Sequence, residues 1–304
     1  MTVRPHLEHL IARARRYAPL PMAIVCPCDR DALLAAAEAA KAQLITPLLV
    51  GPRDRILAAA KAAGVDIAAF ALHDIGGEPA AAARAAVALC HDGRARAMMK
   101  GSLHTDELMG AAIASKGGLR GARRISHVFV IDVPGHPRPL LIADAVINIT
   151  PNLATKRDIV QNAVDFARAI GIELPKVAIL SAVETVNPAI AGTIDAPALC
   201  QMARNGEISG AIVDGPFAMD NAISAEAARI KGIRSEVAGQ PDILLVPGLE
   251  AGNILYKALV YLARGECAGL VLGTKVPIVL TSRADSIQSR VASCALALLK
   301  EQTQ

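Results

Sequence analysis

Polar side chains that can do chemistry follow three apolar runs of the chain. They lie in Asp214-Gly-Pro-Phe-Ala-Met-Asp-Asn-Ala222, Pro247-Gly-Leu-Glu-Ala-Gly-Asn-Ile-Leu-Tyr-Lys257 and Thr281-Ser-Arg-Ala-Asp-Ser286. Each stretch comes after a run typical of a buried strand and before a helical pattern. In an open α/β sheet, ligands bind at the carboxyl ends of the strands, where loops and helix N-termini converge. The three stretches therefore predict one polar cleft in an enzyme.

The third stretch predicts an anion site. A strand is expected to end at Leu280 and a helix to begin near Asp285 or Ser286, which leaves Ser282 and Arg283 in the turn between them. Free N–H groups of a helix N-terminus and a guanidinium together can bind a phosphate or an oxyanion. A capping Ser282 with a surface Arg283 explains the same residues, and this alternative stays open.

The first stretch carries two acids and an amide, Asp214, Asp220 and Asn221. Two acids six residues apart in one loop could hold a metal, or one of them could act as a base. An Asx turn at Asp214, with Gly and Pro as turn residues, and a helix cap at Asp220 are the structural alternatives.

The second stretch places Glu250, Asn253 and Lys257 at helical spacing, on one side of the helix that follows. This row could line a cleft or form a solvated Glu/Lys face.

A fourth segment, from Met99 to Glu107, begins with Lys100 and Gly101 at a predicted strand end. Ser102, His104 and Asp106 alternate near a helix start, which does not produce the geometry of a hydrolase triad. A lysine and a glycine followed by hydroxyls suit phosphate binding better. The candidate binding residues of this segment are Lys100, Gly101, Ser102, His104 and Thr105.

The composition is that of a globular protein, with 53% hydrophobic and 20% charged residues. Aromatic residues make up only 2%, without tryptophan, so the stacking surfaces that grip single-stranded nucleic acid are missing. The net charge of +4 is spread along the chain. It suits a small anionic ligand and argues against a nucleic-acid partner.

The spacing of the six cysteines is not that of zinc ligands. We therefore expect them to be buried free thiols in a reduced, cytoplasmic protein. Residues 1–19 contain no continuous apolar segment, so no secretion signal is expected. No stretch approaches the ~18 uncharged apolar residues of a membrane span, and no membrane partner is expected.

Short β-like runs alternate with longer Ala-rich helical runs, which predicts an α/β fold with a mainly parallel sheet. A chain of 304 residues favours two domains. The Pro/Gly-rich stretch 133–139 is the expected boundary, so that one domain comprises 1–138 with 274–304 and the other 139–273. Strands are predicted at 22–26, 46–50, 95–99, 127–133, 140–147, 176–181, 210–214, 242–247, 269–273 and 276–281. Helices are predicted at 29–43, 53–63, 78–91, 104–116, 155–170, 195–205, 222–231, 250–264 and 286–300.

Taken together, several blocks resemble the phosphate acetyl/butyryltransferase family. The resemblance covers nearly the whole chain and is closer to the butyryl-type branch, and to the transferase part fused to enoyl-CoA hydratases, than to the bacterial acetyl branch. The blocks are Met99-Lys-Gly-Ser-Leu-His-Thr-Asp-Glu-Leu-Met109, Leu180-Ser-Ala-Val-Glu-Thr-Val-Asn187, Asp214-Gly-Pro-Phe-Ala-Met-Asp-Asn-Ala-Ile-Ser224, Val246-Pro-Gly-Leu-Glu-Ala-Gly-Asn-Ile-Leu-Tyr-Lys257 and Val276-Pro-Ile-Val-Leu-Thr-Ser-Arg-Ala-Asp-Ser286.

The resemblance implies reversible transfer of an acyl group, acetyl or butyryl, between coenzyme A and phosphate. It also implies two three-layer α/β domains of the isocitrate/isopropylmalate dehydrogenase-like class with the site in the cleft between them, usually a homodimer, no cofactor beyond coenzyme A and no metal. In the acetyl branch, a pair matching Ser282 and Arg283 binds the acyl phosphate and stabilises the transition state. The proposed base lies seven residues after that serine, where this chain has Ser289. Asp285, Asp214 and Asp220 are then the candidates for the base.

Two alternatives to a transferase stay open. A metal-dependent decarboxylating dehydrogenase of the same fold would use Asp214 and Asp220 on Mg²⁺ together with a nicotinamide cofactor. A catalytically silent sensor would bind acyl-CoA or phosphate without turnover, because the base is unassigned.

Overall fold

The structure, a computed structural model, describes residues 5–280 and 285–303. Its backbone contacts divide the chain into two compact units. The terminal unit comprises Leu7–Ala122 and the described residues from Ala268 onward, and the central unit comprises Arg123–Cys267 with Pro5 and His6. Both divisions fall N-terminal to the expected boundaries at 138/139 and 273/274, and the domain limits remain a prediction.

The fold is mixed α/β, as the alternating pattern predicted. The strands are β1 Leu20–Val25, β2 Ile45–Gly51, β3 Ala71–Asp74, β4 Ala97–Lys100, β5 Ser126–Asp132, β6 Leu140–Ala143, β7 Lys176–Leu180, β8 Ile212–Phe217, β9 Ile243–Leu245, β10 Glu266–Leu272 and β11 Ile278–Val279. The helices are α1 Pro5–Ala14, α2 Arg30–Lys41, α3 Arg53–Ala63, α4 Pro79–His91, α5 Thr105–Ala112, α6 Leu153–Ala169, α7 Ala191–Arg204, α8 Met219–Ile223, α9 Ala225–Ile230, α10 Leu249–Lys257 and α11 Ile287–Glu301. A π-helical turn, Ala258–Leu262, continues α10.

In the terminal unit the strand order is β3-β2-β1-β4-β11-β10. The first five strands of this order are parallel, and β10 runs antiparallel to β11. Because parallel strands end at the same edge, the turns after β1, β2 and β4 lie along one edge of this sheet, and β11 ends at the same edge.

In the central unit the order is β5-β6-β9-β7-β8, with β6, β9, β7 and β8 parallel and β5 antiparallel to β6. Buried aliphatic and aromatic side chains, among them Phe129, Ile142 and Leu244, form the core against this sheet. The carboxyl edge of the four parallel strands carries the turns that begin at Asp144, Val246, Ser181 and Ala218.

Candidate active site

In the terminal unit, the turn after β4 is joined to the turn after β1. The Gly101 N–H donates to the Val25 carbonyl at 2.9 Å, and the Ser102 N–H donates to the Cys26 carbonyl at 2.9 Å. The Ser102 hydroxyl also donates to the Cys26 carbonyl, at 2.7 Å, and accepts the Cys28 N–H at 3.2 Å. The hydroxyl predicted to bind phosphate is therefore engaged in shaping this edge of the sheet.

Gly101 is required by the same close approach. A Cβ at this position would lie 2.4 Å from the carbonyl oxygens of both Val25 and Cys26. Since backbone atoms cannot yield as a flexible side chain can, only glycine fits here.

Lys100 ends β4 and is buried, with 6% of its surface exposed. Its Nζ donates to the Gly101 carbonyl at 3.4 Å. Strand β11 pairs with β4 so that Val279 lies opposite Met99, which brings the end of β11 beside Lys100. The predicted anion-binding residues Ser282 and Arg283 follow directly and lie outside the described residues.

The segment after Ser102 starts α5. His104 is the N-cap, and its backbone N–H donates to the Glu107 carboxylate at 2.8 Å, while Thr105 is the first helical residue. The side chains of His104 and Thr105 are exposed. Both residues follow β4 at the same edge of the sheet as Lys100.

Helix α11 is capped by Ser286, whose hydroxyl accepts the Ser289 N–H at 3.0 Å. The N-cap of this helix is therefore Ser286 and not Asp285. Asp285 precedes the cap and is half-buried, and Ser289, at the position of the acetyl-branch base, is buried in the first turn of the helix.

In the central unit, Asp214 lies within β8, opposite Ala178 of β7. The strand was predicted to end at Asp214 but continues to Phe217. The Asp214 carboxylate accepts the N–H of the next residue, Gly215, at 2.8 Å. An Asx turn would instead use the N–H two residues further along.

Asp220 lies in α8, whose N-cap is Ala218 rather than Asp220. Its carboxylate forms an ion pair with Lys231 at 3.1 Å, and the hydrogen bond from Lys231 holds the pKa of Asp220 below its usual range. Lys231 also pairs with Glu184 at 3.4 Å. Sequence reasoning assigned no role to Glu184 or Lys231, although Glu184 lies within one of the family-like blocks.

Asn221 is completely buried beside this ion-pair cluster. Its Nδ2 donates to the Glu184 carboxylate at 3.4 Å, whereas its Oδ1 has no hydrogen-bond partner within the described part of the chain. The sequence-predicted pair Asp220 and Asn221 thus sits together at the end of β8, joined to the loop after β7 through Glu184.

Along α10, the predicted row of polar residues is present but spread out. Glu250 is exposed in the first turn and Lys257 is exposed at the last position, about 10 Å further along the helix axis at 1.5 Å per residue. Between them, the Asn253 amide donates to the Ala145 carbonyl at 3.4 Å.

The turn that Asn253 contacts is organised by a residue without a predicted role, Asp144. Its carboxylate accepts the N–H groups of Val146 and Ile147 at 2.9 and 3.0 Å, and the Asn148 amide at 2.7 Å. Burial raises the pKa of Asp144, against the opposing effect of these hydrogen bonds.

Among residues 5–280 and 285–303, no group of three or more His, Cys, Asp or Glu side chains is arranged to hold a metal ion. The helices in the same ranges include none that is long and apolar enough to cross a membrane.

Residues 79–298 match the family described as "Phosphate acetyl/butaryl transferase". The chain is 56% identical over 292 residues to a phosphate acetyltransferase of Rhizobium meliloti, covering 96% of this chain and 92% of the relative. It is 39% identical to a phosphate butyryltransferase of Clostridium beijerinckii, covering 97% of each chain. The crystal structure of a branched-chain phosphotransacylase from Enterococcus faecalis V583 superposes with a TM-score of 0.81 at 30% identity, covering 93% of this chain and 99% of that one.

The mixed α/β fold is that of the phosphotransacylase structure on which the chain superposes. The chain belongs to the phosphate acetyl/butyryltransferase family, as the resemblance of its sequence blocks predicted.

Proposed function

We propose that this protein catalyses the reversible transfer of a short acyl group between coenzyme A and inorganic phosphate. In one direction, acyl-CoA and phosphate give acyl phosphate and free coenzyme A. The observation that carries the proposal is the family match over residues 79–298. It favours acyl transfer over the metal-dependent dehydrogenase and over a silent sensor.

The reaction proceeds through attack of a phosphate oxygen on the thioester carbonyl, followed by departure of the thiolate. Arg283 neutralises the phosphate oxygens through its planar fork of donors, and Ser282 stabilises the oxyanion of the tetrahedral intermediate. Lys100 supports this assignment, because it is a buried cation at the end of the strand next to β11. Holding both substrates in one site can lower the barrier by roughly 7–11 kcal/mol.

Asp285 is proposed as the group that protonates the leaving thiolate, and that deprotonates the thiol in the reverse direction. Two observations support this role. Asp285 lies three residues after Ser282 in the sequence, and its carboxylate is not used as the N-cap of α11, because Ser286 is the cap. Asp214 and Asp220 are the alternatives. The ion pair with Lys231 stabilises the ionised form of Asp220. Proton transfer to or from Asp220, in either direction of the reaction, would therefore have to overcome that stabilisation.

The remaining predicted residues are proposed to contribute to substrate binding. They are Gly101, Ser102, His104, Thr105, Asn221, Glu250, Asn253 and Lys257. Ser102 contributes indirectly, because its hydroxyl holds the turn after β4 against the turn after β1.

The domain arrangement, the oligomeric state, the compartment and the cofactor requirement are also part of the proposal. We place the reaction in a cleft between two three-layer α/β domains of the isocitrate/isopropylmalate dehydrogenase-like class, in a cytoplasmic homodimer that needs no metal and no cofactor besides its substrate coenzyme A. The family resemblance supports the cleft and the dimer, and six free cysteines support a reducing compartment.

A thiol-release assay tests the proposal. Acyl-CoA substrates of increasing chain length are incubated with and without phosphate, and free thiol is measured. We expect thiol to appear only when phosphate is present, fastest for a short acyl chain. Binding without thiol release would indicate a sensor, and release without phosphate would indicate a hydrolase.

A further inference from the structure

The turn after β6 is held by hydrogen bonds that start from a buried acid. Asp144 directly follows the strand and is 2% exposed. Its carboxylate accepts the backbone N–H of Asn148 at 3.2 Å and the side-chain amide of Asn148 at 2.7 Å. The same amide donates its other hydrogen to the Ile125 carbonyl at 2.9 Å. Both amide hydrogens of Asn148 are therefore used, and the orientation of this buried side chain is fixed.

The amide oxygen of Asn148 holds an arginine side chain. It accepts the Nε–H of Arg124 at 3.2 Å. The backbone N–H of Arg124 donates to the Asp158 carboxylate at 2.9 Å, so the main chain is held as well. Arg124 is exposed, and among residues 5–280 and 285–303 its two terminal nitrogens, Nη1 and Nη2, have no partner.

The neighbouring arginines are balanced by carboxylates. Arg123 forms an ion pair with Asp165 at 2.5 Å, and Arg157 forms one with Asp158 at 2.7 Å. Arg124 has no ion pair in the described part of the chain. Of these three arginines it is therefore the one whose charge is left for an anion from outside the chain.

Arg124 lies at the edge of the central sheet that carries the candidate residues. Strand β5 runs antiparallel to β6, so the residues before β5 lie beside the turn after β6. That turn also contacts α10, because the Leu249 N–H donates to the Ile149 carbonyl at 3.1 Å and the Asn253 amide donates to the Ala145 carbonyl at 3.4 Å. Arg124 and the predicted residues of α10 thus flank the same turn.

A guanidinium suits one kind of ligand in particular. Its planar fork binds two oxygens of a phosphate group through parallel hydrogen bonds. Because Asn148 already holds Nε, less side-chain freedom is lost when the two terminal nitrogens of Arg124 bind an anion.

We propose that Arg124 is a further substrate-binding residue, which takes a phosphate group on its two terminal nitrogens, and that Asn148 and Asp144 are positioning residues for its side chain. The inference rests on the proposed function, since the substrates of that reaction supply the phosphate group. The group belongs either to inorganic phosphate and the acyl phosphate or to coenzyme A, and the experiment distinguishes these two sources.

The first test measures KM for phosphate at saturating acyl-CoA and KM for acyl-CoA at saturating phosphate. In Arg124→Gln, we expect one of the two KM values to rise about five- to tenfold, the effect of one contact to a charged group, with kcat nearly unchanged. Arg124→Lys keeps the charge but lacks the fork, and should show most of the same rise. A rise in KM for phosphate assigns Arg124 to the reacting phosphate, and a rise in KM for acyl-CoA assigns it to a phosphate of coenzyme A.

Arg123→Gln is the matched control. It removes the adjacent arginine, which is paired with Asp165, and should leave both KM values unchanged. If neither KM value rises in Arg124→Gln, or if both arginine variants give the same rise, the assignment of Arg124 is overturned.

A double variant tests the positioning role. Asn148→Ala should raise the same KM as Arg124→Gln, because Nε is no longer held. In the double variant this KM should equal that of Arg124→Gln alone, since Asn148 then has no guanidinium to position. Effects that multiply would show that Asn148 acts through the turn instead, and would overturn its positioning role. Asn148→Ser replaces Asn148→Ala if the latter unfolds at a lower temperature.

A binding measurement separates this proposal from the proposed function. Inorganic phosphate and coenzyme A are each titrated by calorimetry into wild type, Arg124→Gln and Arg123→Gln. Weaker binding of one ligand to Arg124→Gln alone supports the assignment of Arg124, even if wild type turns over no acyl-CoA and the proposed function fails. Equal binding of each ligand to all three proteins overturns the assignment, whether or not the enzyme is active.

Discussion

The hydroxyl of Ser102 donates to the carbonyl oxygen of Cys26 at 2.7 Å and thereby ties the end of β4 to the end of β1. The Cys28 N–H donates to the same hydroxyl. One side chain thus fixes two neighbouring turns on the edge where the anion site is proposed.

Ser102→Ala should lower both stability and activity. The substitution leaves the part-buried Cys28 N–H without its partner, and loss of an ordinary hydrogen bond costs about 0.5–1.5 kcal/mol. The free energy of unfolding in urea measures the first effect, and kcat/KM for thiol release measures the second. Ser102→Thr keeps the hydroxyl and is the control. Equal stability of wild type and Ser102→Ala would contradict the structural role.

His127 should make stability depend on pH. It is fully buried in β5, its ring lies 4.4 Å from that of Phe129, and neither ring nitrogen has a hydrogen-bond partner among the described residues. Burial lowers the pKa of His127 to about 3, against about 6.5 in an unfolded chain. The unfolded state therefore binds an extra proton below about pH 6.5. The stability due to the neutral ring is fully present above that pH and is lost as the pH falls toward 3.

The measurement is urea unfolding of wild type and His127→Phe between pH 4 and 8. The difference in unfolding free energy between the two proteins should be constant above about pH 6.5 and should change by about 1.4 kcal/mol per pH unit well below it. A difference that stays constant over the whole range would show that His127 is not buried in its neutral form.

The base can be identified with three Asn variants, Asp285→Asn, Asp214→Asn and Asp220→Asn. In the direction that consumes coenzyme A, we expect Asp285→Asn to lose kcat together with the acidic limb of the pH–rate profile, because a carboxylate that accepts the thiol proton must be ionised. Asp220→Asn should instead release Lys231 from one of its two partners. Normal turnover in Asp285→Asn, with a loss in either other variant, would move the assignment to that residue.

Arg283→Lys should lose most of the activity although the charge is kept. An ammonium cannot reproduce the planar fork of a guanidinium, and loss of a transition-state donor costs about 2–4 kcal/mol in kcat/KM. Thermal unfolding of the variant controls for folding. A folded Arg283→Lys protein with near-normal turnover would remove Arg283 from the site.

The alternation of apolar strands and Ala-rich helices predicted most of the fold. Helix α6 at Leu153–Ala169 and helix α11 at Ile287–Glu301 lie within two residues of their predicted limits. Strand β3 was missed, because Ala71–Asp74 is a partly exposed edge strand without an apolar run. The strand predicted at 140–147 ends at Ala143, because the Asp144 carboxylate binds the N–H groups that would otherwise continue the strand pairing.

From the sequence, the residues of the candidate site could be placed at the ends of strands, but their contacts with one another could not be predicted. Sequence spacing placed Lys100 and Gly101 correctly at the end of β4. It could not show that Lys231 joins Asp220 to Glu184, since these three residues come from separate segments that only the folded chain brings together. It also could not show that the Ser102 hydroxyl bonds to Cys26, 76 residues away in sequence.

The central claim is tested most directly in the reverse direction, by mixing acetyl phosphate or butyryl phosphate with coenzyme A. The account predicts that thiol disappears, acyl-CoA forms and phosphate is released in equal amounts, and that a chelator of divalent ions leaves the rate nearly unchanged. Release of phosphate with no loss of thiol, or no reaction with either acyl phosphate, would contradict it.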